Sequence, residues 1–439
     1  MKKVTNRAFA VLLLAAMVLT GMGVYLFRLV RDGGDWATFY ADRSIYTDGV
    51  LNRGSVADRN GTLLASAGED AFHYVGDAAV RRGCLHVVGD LGGNIGTSIL
   101  SIFRDKFINY SFFTGTTTEG AAMKLTIDAD ISAAAYNALS GKKGTVLVYN
   151  YQTGEILCMV STPGWDPEQG IDFDPNDPAY EGAFINRAIS SSFTPGSVFK
   201  LVTMAAAIEN IPDIWDQTFT CTGSTVIGGQ TVKCSGTHGT ITIEKGLACS
   251  CNVAFGQVSA QLGGALISQY AEKYGLTAAH DLNQDIPTAA GSVPAASGDG
   301  DAAWEGIGQY EGLANPYAFL RFIGAIANGG TVVEPTILAG RRCGTTQLMD
   351  PATAQTLSEM MSYNVSYEYG TGNYPGLEMH AKTGTAETYG GTHAWFAGFI
   401  TNPGTPLAFV VLAERAGSGY GVASPIANTV LQKAVSVLG

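Results

Sequence analysis

Phe193-Thr194-Pro195-Gly196-Ser197-Val198-Phe199-Lys200 is the stretch on which the reading of this chain turns. Pro195-Gly196 marks a helix start, and residues three apart on a helix share a face, so Lys200 is expected over the Ser197 hydroxyl. A hydroxyl beside an amine able to take its proton is an activated nucleophile. Alone, Ser-x-x-Lys is met by chance in a chain of 439 residues. Two later segments, Ser250-Cys251-Asn252 and Lys382-Thr383-Gly384, carry further groups that acyl transfer through a serine could use, and the three are read as a set.

Lys200 can act as a base only when neutral, and burial or a nearby cation would lower its pKa. Lys382 is the candidate cation. With the Thr383 and Thr385 hydroxyls it would form a donor-rich strand edge suited to a substrate carboxylate. Gly384 is expected to leave room for an extended ligand against that strand. Ser250 would pass a proton to the leaving amine, and Asn252 would hold Lys200 or a substrate amide. Backbone N–H groups of Ser197 and Thr385 are the candidates for meeting the oxyanion. The three segments are far apart in sequence, so only the fold can unite them.

Composition narrows the alternatives. A net charge of -12, with no basic run, argues against nucleic acid as a partner. Seven cysteines are too few for a disulfide-built scaffold and leave one unpaired in a monomer. Cys221 and Cys234 bracket a Gly-rich segment read as a hairpin, and whether they form a disulfide stays open. The six histidines show no i, i+4 pair and no Cys-x-x-Cys exists; Cys249-x-Cys251 alone is too little for zinc, so no metal and no cofactor are expected.

Ala8 to Phe27 runs twenty positions without a charge, long enough to cross a bilayer as one helix. Lys2, Lys3 and Arg7 precede it, which predicts a cytoplasmic N-terminus and an extracytoplasmic remainder. A cleaved signal peptide is the rival, but Arg28-Leu29-Val30-Arg31 offers no small-residue cleavage site. The chain is therefore divided into a tail and transmembrane anchor (1–30), a small β-rich pedestal (31–120) and a catalytic domain (121–439). In the pedestal, Asn60-Gly61 predicts a hairpin turn, and Gly92-Gly93-Asn94 and Gly115 to Thr118 read as loops. In the third part a helix is expected over Asp130–Leu139 and a hairpin from Thr145–Tyr149 with Glu155–Val160. Helix resumes at Lys200–Glu209, Thr288–Ala303 reads as an exposed loop, and strands over Gly376–Thr383, His393–Thr401 and Leu407–Ala413 precede a helix over Pro425–Leu438.

These segments resemble the class B penicillin-binding proteins, membrane-anchored peptidoglycan transpeptidases. The likeness rests on the three motifs and on Arg53-Gly-x-x-x-Asp58-Arg59-Asn60-Gly61, Gly144 to Pro163, Asn186-Arg187-Ala188, Ala325 to Gly330 and Lys382 to Glu387. It implies an α+β fold, the serine β-lactamase-like transpeptidase fold, with an antiparallel sheet flanked by helices. It implies Ser197 as the acyl acceptor, Lys200 as its base, Ser250 and Asn252 as the second motif, and Lys382, Thr383 and Gly384 as the third. Ser197 would attack the penultimate D-alanine carbonyl of a peptidoglycan stem peptide, and β-lactam antibiotics would acylate it and stay. A membrane glycosyltransferase of the SEDS family is the implied partner. One departure stands out: Gly308-Gln309-Tyr310 replaces the family's Gly-Gln-Gly. The rivals are a D,D-carboxypeptidase, a β-lactamase, a β-lactam sensor and a non-catalytic scaffold of a cell-wall synthesis complex.

Overall fold

The computed structural model describes residues 2–37, 54–67, 72–108, 110–111, 115–116 and 120–439. The first helix, Lys2–Ala37, contains the apolar run and continues beyond Phe27. Its side chains along Val4–Val30 are almost all exposed, with no protein packed on them, as a helix that meets lipid requires.

Next comes a four-stranded sheet. Ser55–Ala57 lies between Leu63–Ala67, antiparallel, and Ala122–Lys124, parallel, with Phe72–Tyr74 outermost. The expected Asn60-Gly61 turn joins the first two strands; the Asp58 carboxylate closes it by accepting from the Asn60 and Thr62 N–H groups. That turn is bonded to the next domain, since Asn60 donates to the Asp128 carboxylate at 2.9 Å and Arg59 N–H to the Ile127 carbonyl. Arg53, part of the resemblance here, lies outside the described residues, as do 117–119 of the loop expected from Gly115. Gly115–Thr116 is itself a short strand.

The main sheet has five antiparallel strands in the order Met379–Thr388, Gly391–Ile400, Leu407–Ala413, Gly144–Asn150, Ile156–Thr162. Alternation builds two cores from it: Leu407, Phe409 and Val411 face the helices Ala129–Leu139 and Ser424–Leu438, while Ala408, Val410 and Leu412 face the larger helical cluster. That cluster contains Lys200–Asn210, Asn252–Leu262 and Pro316–Ala327, the last apolar nearly all round and therefore buried. Met379–Thr388 is an edge strand, with no further strand paired on its outer side.

Two expectations change. Thr288–Ala303 is only partly a loop, because Asp299–Gly306 is helical and Ala302 and Ala303 are buried. Asp299 and Asp301 in the first turn favour the helix N-terminus through their charge, a signal hidden among Gly and Ser. The strand expected to end at Thr383 runs on to Thr388, so Lys382-Thr383-Gly384 sits mid-strand.

Candidate active site

Ser197 lies in a single 3-10 turn, Gly196–Phe199, that feeds directly into the helix Lys200–Asn210. Gly196 has φ +58°, and a Cβ there would come within 2.7 Å of the Thr385 carbonyl, so only glycine lets the turn dock on the edge strand. Gly384 plays the matching part. A Cβ on it would lie 2.8 Å from the Pro195 carbonyl and 3.0 Å from Trp395 Cβ. The missing side chain therefore makes room for the nucleophile's own turn, which corrects the expectation that it makes room for a ligand. Trp395 Nε1 donates to the Thr194 carbonyl at 3.0 Å and pins the same turn from below.

The three segments converge. Lys200 Nζ lies 3.0 Å from Ser197 Oγ, 2.7 Å from the Ser250 carbonyl, 3.2 Å from Ser250 Oγ and 2.7 Å from Asn252 Oδ1. Lys382 Nζ donates to Ser250 Oγ at 3.0 Å and to the Thr383 carbonyl at 3.1 Å. Both lysines are fully buried. Burial pushes Lys200 down to about 8. Burial, and then the charge of Lys200, hold Lys382 well below the ordinary lysine range. The pair thus sheds its first proton far more readily than two exposed lysines would.

Hydrogen-bond inventory shows what a neutral Lys200 would do. The Ser250 carbonyl and Asn252 Oδ1 are pure acceptors at the shortest distances and take its two N–H bonds. Its lone pair is then left for the Ser197 O–H. A protonated Lys200 has no lone pair, so the same geometry would leave Ser197 inactive.

Ser250 holds its place between the two amines in a left-handed conformation, φ +55°, which non-glycine residues adopt at a cost of roughly 1 kcal/mol. The strain is maintained on its C-terminal side by Cys251, buried at the start of the helix Asn252–Leu262, with its N–H on the Gly246 carbonyl. Asn252 is fixed by its Nδ2 donating to the Lys233 carbonyl at 2.9 Å.

These groups open into a cavity of about 750 Å³ lined by Ser197, Ser250, Asn252, Thr383 and Thr385. That volume suits a ligand of several residues' length. Tyr369, with no motif around it, also belongs here. Its hydroxyl accepts from the Thr383 N–H at 3.1 Å and lies 3.2 Å from Thr383 Oγ1. Thr385 Oγ1 accepts from the Gly419 N–H at 3.1 Å, so the segment after the last strand supports the edge strand too. Tyr310, which stands where the resemblance leads one to expect glycine, has φ +67°: the backbone keeps the left-handed conformation without the residue that adopts it freely.

The spacing argument against metal ligands did not anticipate what lies behind Ser250. Cys221, Cys234, His238 and Cys251 come together with their ligand atoms all within 4.8 Å of one another. No Cys221–Cys234 disulfide is present, both thiols being free.

Comparison with known proteins identifies the family. The family model described as "Penicillin binding protein transpeptidase domain" matches residues 144–432. Peptidoglycan D,D-transpeptidase PbpA of Mycobacterium tuberculosis is 27% identical over 371 residues, 74% of each chain. Peptidoglycan D,D-transpeptidase MrdA of Salmonella typhimurium is 25% identical over 431 residues, covering 82% of this chain and 66% of that one. Among solved structures, the D,D-transpeptidase domain of a peptidoglycan glycosyltransferase from Eggerthella lenta superposes with a TM-score of 0.74 at 25% identity, over 88% of this chain and 99% of that one. The imipenem acyl-enzyme of penicillin-binding protein A from M. tuberculosis gives 0.69 at 25% identity, with 88% and 99% coverage. The apolar N-terminal helix fits the membrane-anchored form of such proteins. On the match over 144–432 and these relatives, the chain belongs to the class B penicillin-binding proteins.

Proposed function

We infer that this chain is a serine-type peptidoglycan D,D-transpeptidase, acting through an acyl-enzyme on Ser197 that β-lactams also form. The observation that carries the reading is the placement of Lys200 Nζ 3.0 Å from Ser197 Oγ with both its N–H bonds already engaged. Lys200 takes the Ser197 proton as Oγ attacks the penultimate D-alanine carbonyl. The oxyanion is met by backbone N–H groups, those of Ser197 and Thr385 being the candidates. Ser250, hydrogen-bonded to both lysines, returns a proton to the leaving D-alanine amine, and the C–N bond breaks. An amine from a neighbouring stem then attacks the acyl-enzyme by the same steps in reverse.

Thr383 and Thr385 on the open strand edge, with Lys382 behind them, favour a substrate carboxylate at the entrance of the cavity. The basic residues before the apolar helix favour a cytoplasmic N-terminus and an extracytoplasmic catalytic domain, and the family resemblance implies a SEDS-family membrane glycosyltransferase as partner. Residues 31–120 would then act as the pedestal, and 121–439 as the transpeptidase domain. The test supplies a stem pentapeptide donor and an amine acceptor to the detergent-solubilised chain. Cross-linked dimer with stoichiometric release of D-alanine is the expected product. Release of D-alanine with no dimer would replace this reading with a D,D-carboxypeptidase, and neither product would reject both.

A further inference from the structure

We propose that Cys221, Cys234, His238 and Cys251 form a closed four-coordinate site for a zinc-class divalent cation, and that this ion holds the second motif in place. The four residues come from separate elements. Cys221 ends the strand Thr218–Cys221, Cys234 follows the strand Gln230–Lys233, His238 precedes Gly239–Thr242, and Cys251 caps the helix Asn252–Leu262. Their spacing is Cys-x12-Cys-x3-His-x12-Cys, wider than a zinc-finger knuckle, so only the fold brings them to one point.

All four ligand atoms lie within 4.8 Å of one another, and two of their spacings match the edges of a tetrahedron around a single ion. Cys234 Sγ is 3.9 Å from Cys251 Sγ and 3.6 Å from His238 Nδ1. A tetrahedron built on Zn–S of about 2.3 Å and Zn–N of about 2.0 Å has S···S and S···N edges of roughly 3.8 and 3.5 Å. A disulfide would need a separation of about 2.05 Å. The sulfurs are also prepared as acceptors: the Asn252 N–H points at Cys234 Sγ at 3.3 Å, and the Ala254 N–H at Cys251 Sγ at 3.4 Å. Such N–H···S contacts are what orient and tune thiolate ligands. Three thiolates and an imidazole select zinc over magnesium or calcium, and with four protein ligands there is no open position for substrate chemistry.

The location gives the site a consequence. Cys251 separates Ser250 from Asn252, and the Asn252 N–H rests on Cys234, so two ligands clamp both residues of the second motif that touch Lys200. The surrounding lobe consists of two two-stranded ribbons, Thr218–Cys221 with Gly239–Thr242 and Ser224–Ile227 with Gln230–Lys233. A ribbon pair this small has little core of its own and gains most from a cross-link.

The test uses the full chain, purified in detergent under reducing conditions without chelator. Elemental analysis is expected to find about one zinc per chain, and replacement by Co²⁺ to give the intense visible bands of tetrahedral cobalt with thiolate-to-metal charge transfer. Cys234→Ser and His238→Ala are expected to weaken metal binding at least about tenfold, while Cys343→Ser keeps it. Stripping the ion from wild-type protein should slow acylation of Ser197 by benzylpenicillin at least about tenfold, with recovery on adding Zn²⁺, because a shift of an ångström at Asn252 misplaces Lys200. Three results would overturn the proposal: free thiols and no metal after incubation with Zn²⁺, a disulfide among the four residues in the purified chain, or a stoichiometric ion that survives both ligand substitutions.

Discussion

Lys200→Met is expected to slow acylation of Ser197 by benzylpenicillin by about 10³-fold or more, measured as the rate of covalent adduct formation in a single turnover. Methionine fills nearly the same buried volume, so packing beside the Phe255 ring is kept while the base is removed. General-base catalysis is worth about 10²–10⁴-fold by itself. Here the loss is greater than that of a base alone, because Lys200 also fixes Ser250 and Asn252 through three of its four contacts. An acylation rate within a factor of ten of wild type would mean that another group takes the Ser197 proton.

The second large effect concerns pH. Neutral Lys200 is the active form, so acylation should rise with pH through the range in which Lys200 gives up its proton, and burial sets that at about 8. Lys382, held well below the ordinary lysine range by burial and then by the charge of Lys200, releases its proton first. Lys382 is therefore already neutral where Lys200 titrates, and burial of Lys200 takes the place of the cation expected from the sequence. Below pH 7 the acylation rate should fall about tenfold for each pH unit. In Lys382→Met the acidic limb should stay near 8, with any loss of rate equal at pH 6 and pH 9. A limb that moves up in the variant would show that a charged Lys382 is what lowers Lys200.

Much of this site was legible in the sequence, because its chemistry is concentrated in three short motifs whose order and residue types are few. Ser197, Lys200, Ser250, Asn252 and Lys382 could be named from these motifs through their resemblance to a family, and the structure joins them in one hydrogen-bonded group. What local patterns do not carry is contact between segments. Gly384 was read through its own strand, yet its neighbour is the Pro195 carbonyl of a turn nearly two hundred residues earlier. Tyr369 escaped because it lies in a wide helical turn, Val365–Tyr369, that no motif marks. The Cys221–Cys251 cluster escaped because its first twelve-residue gap is spanned by the ribbon of Ser224–Ile227 with Gln230–Lys233 and its second by the strand Gly239–Thr242 and the helix Ile243–Ala248, rather than by a knuckle. The antiparallel sheet was easier, since its strands at the C-terminal end follow one another through short connections and alternate between two apolar faces.

The central claim is that Ser197, and no other residue, becomes acylated because Lys200 is neutral beside it. Intact mass followed by peptide mapping of the benzylpenicillin-treated chain tests this most directly, with Ser197→Ala in parallel. The account predicts one adduct per wild-type chain, located on the peptide containing Ser197, and none on the variant. An adduct retained by Ser197→Ala, or mapped to a different residue in the wild type, would contradict it.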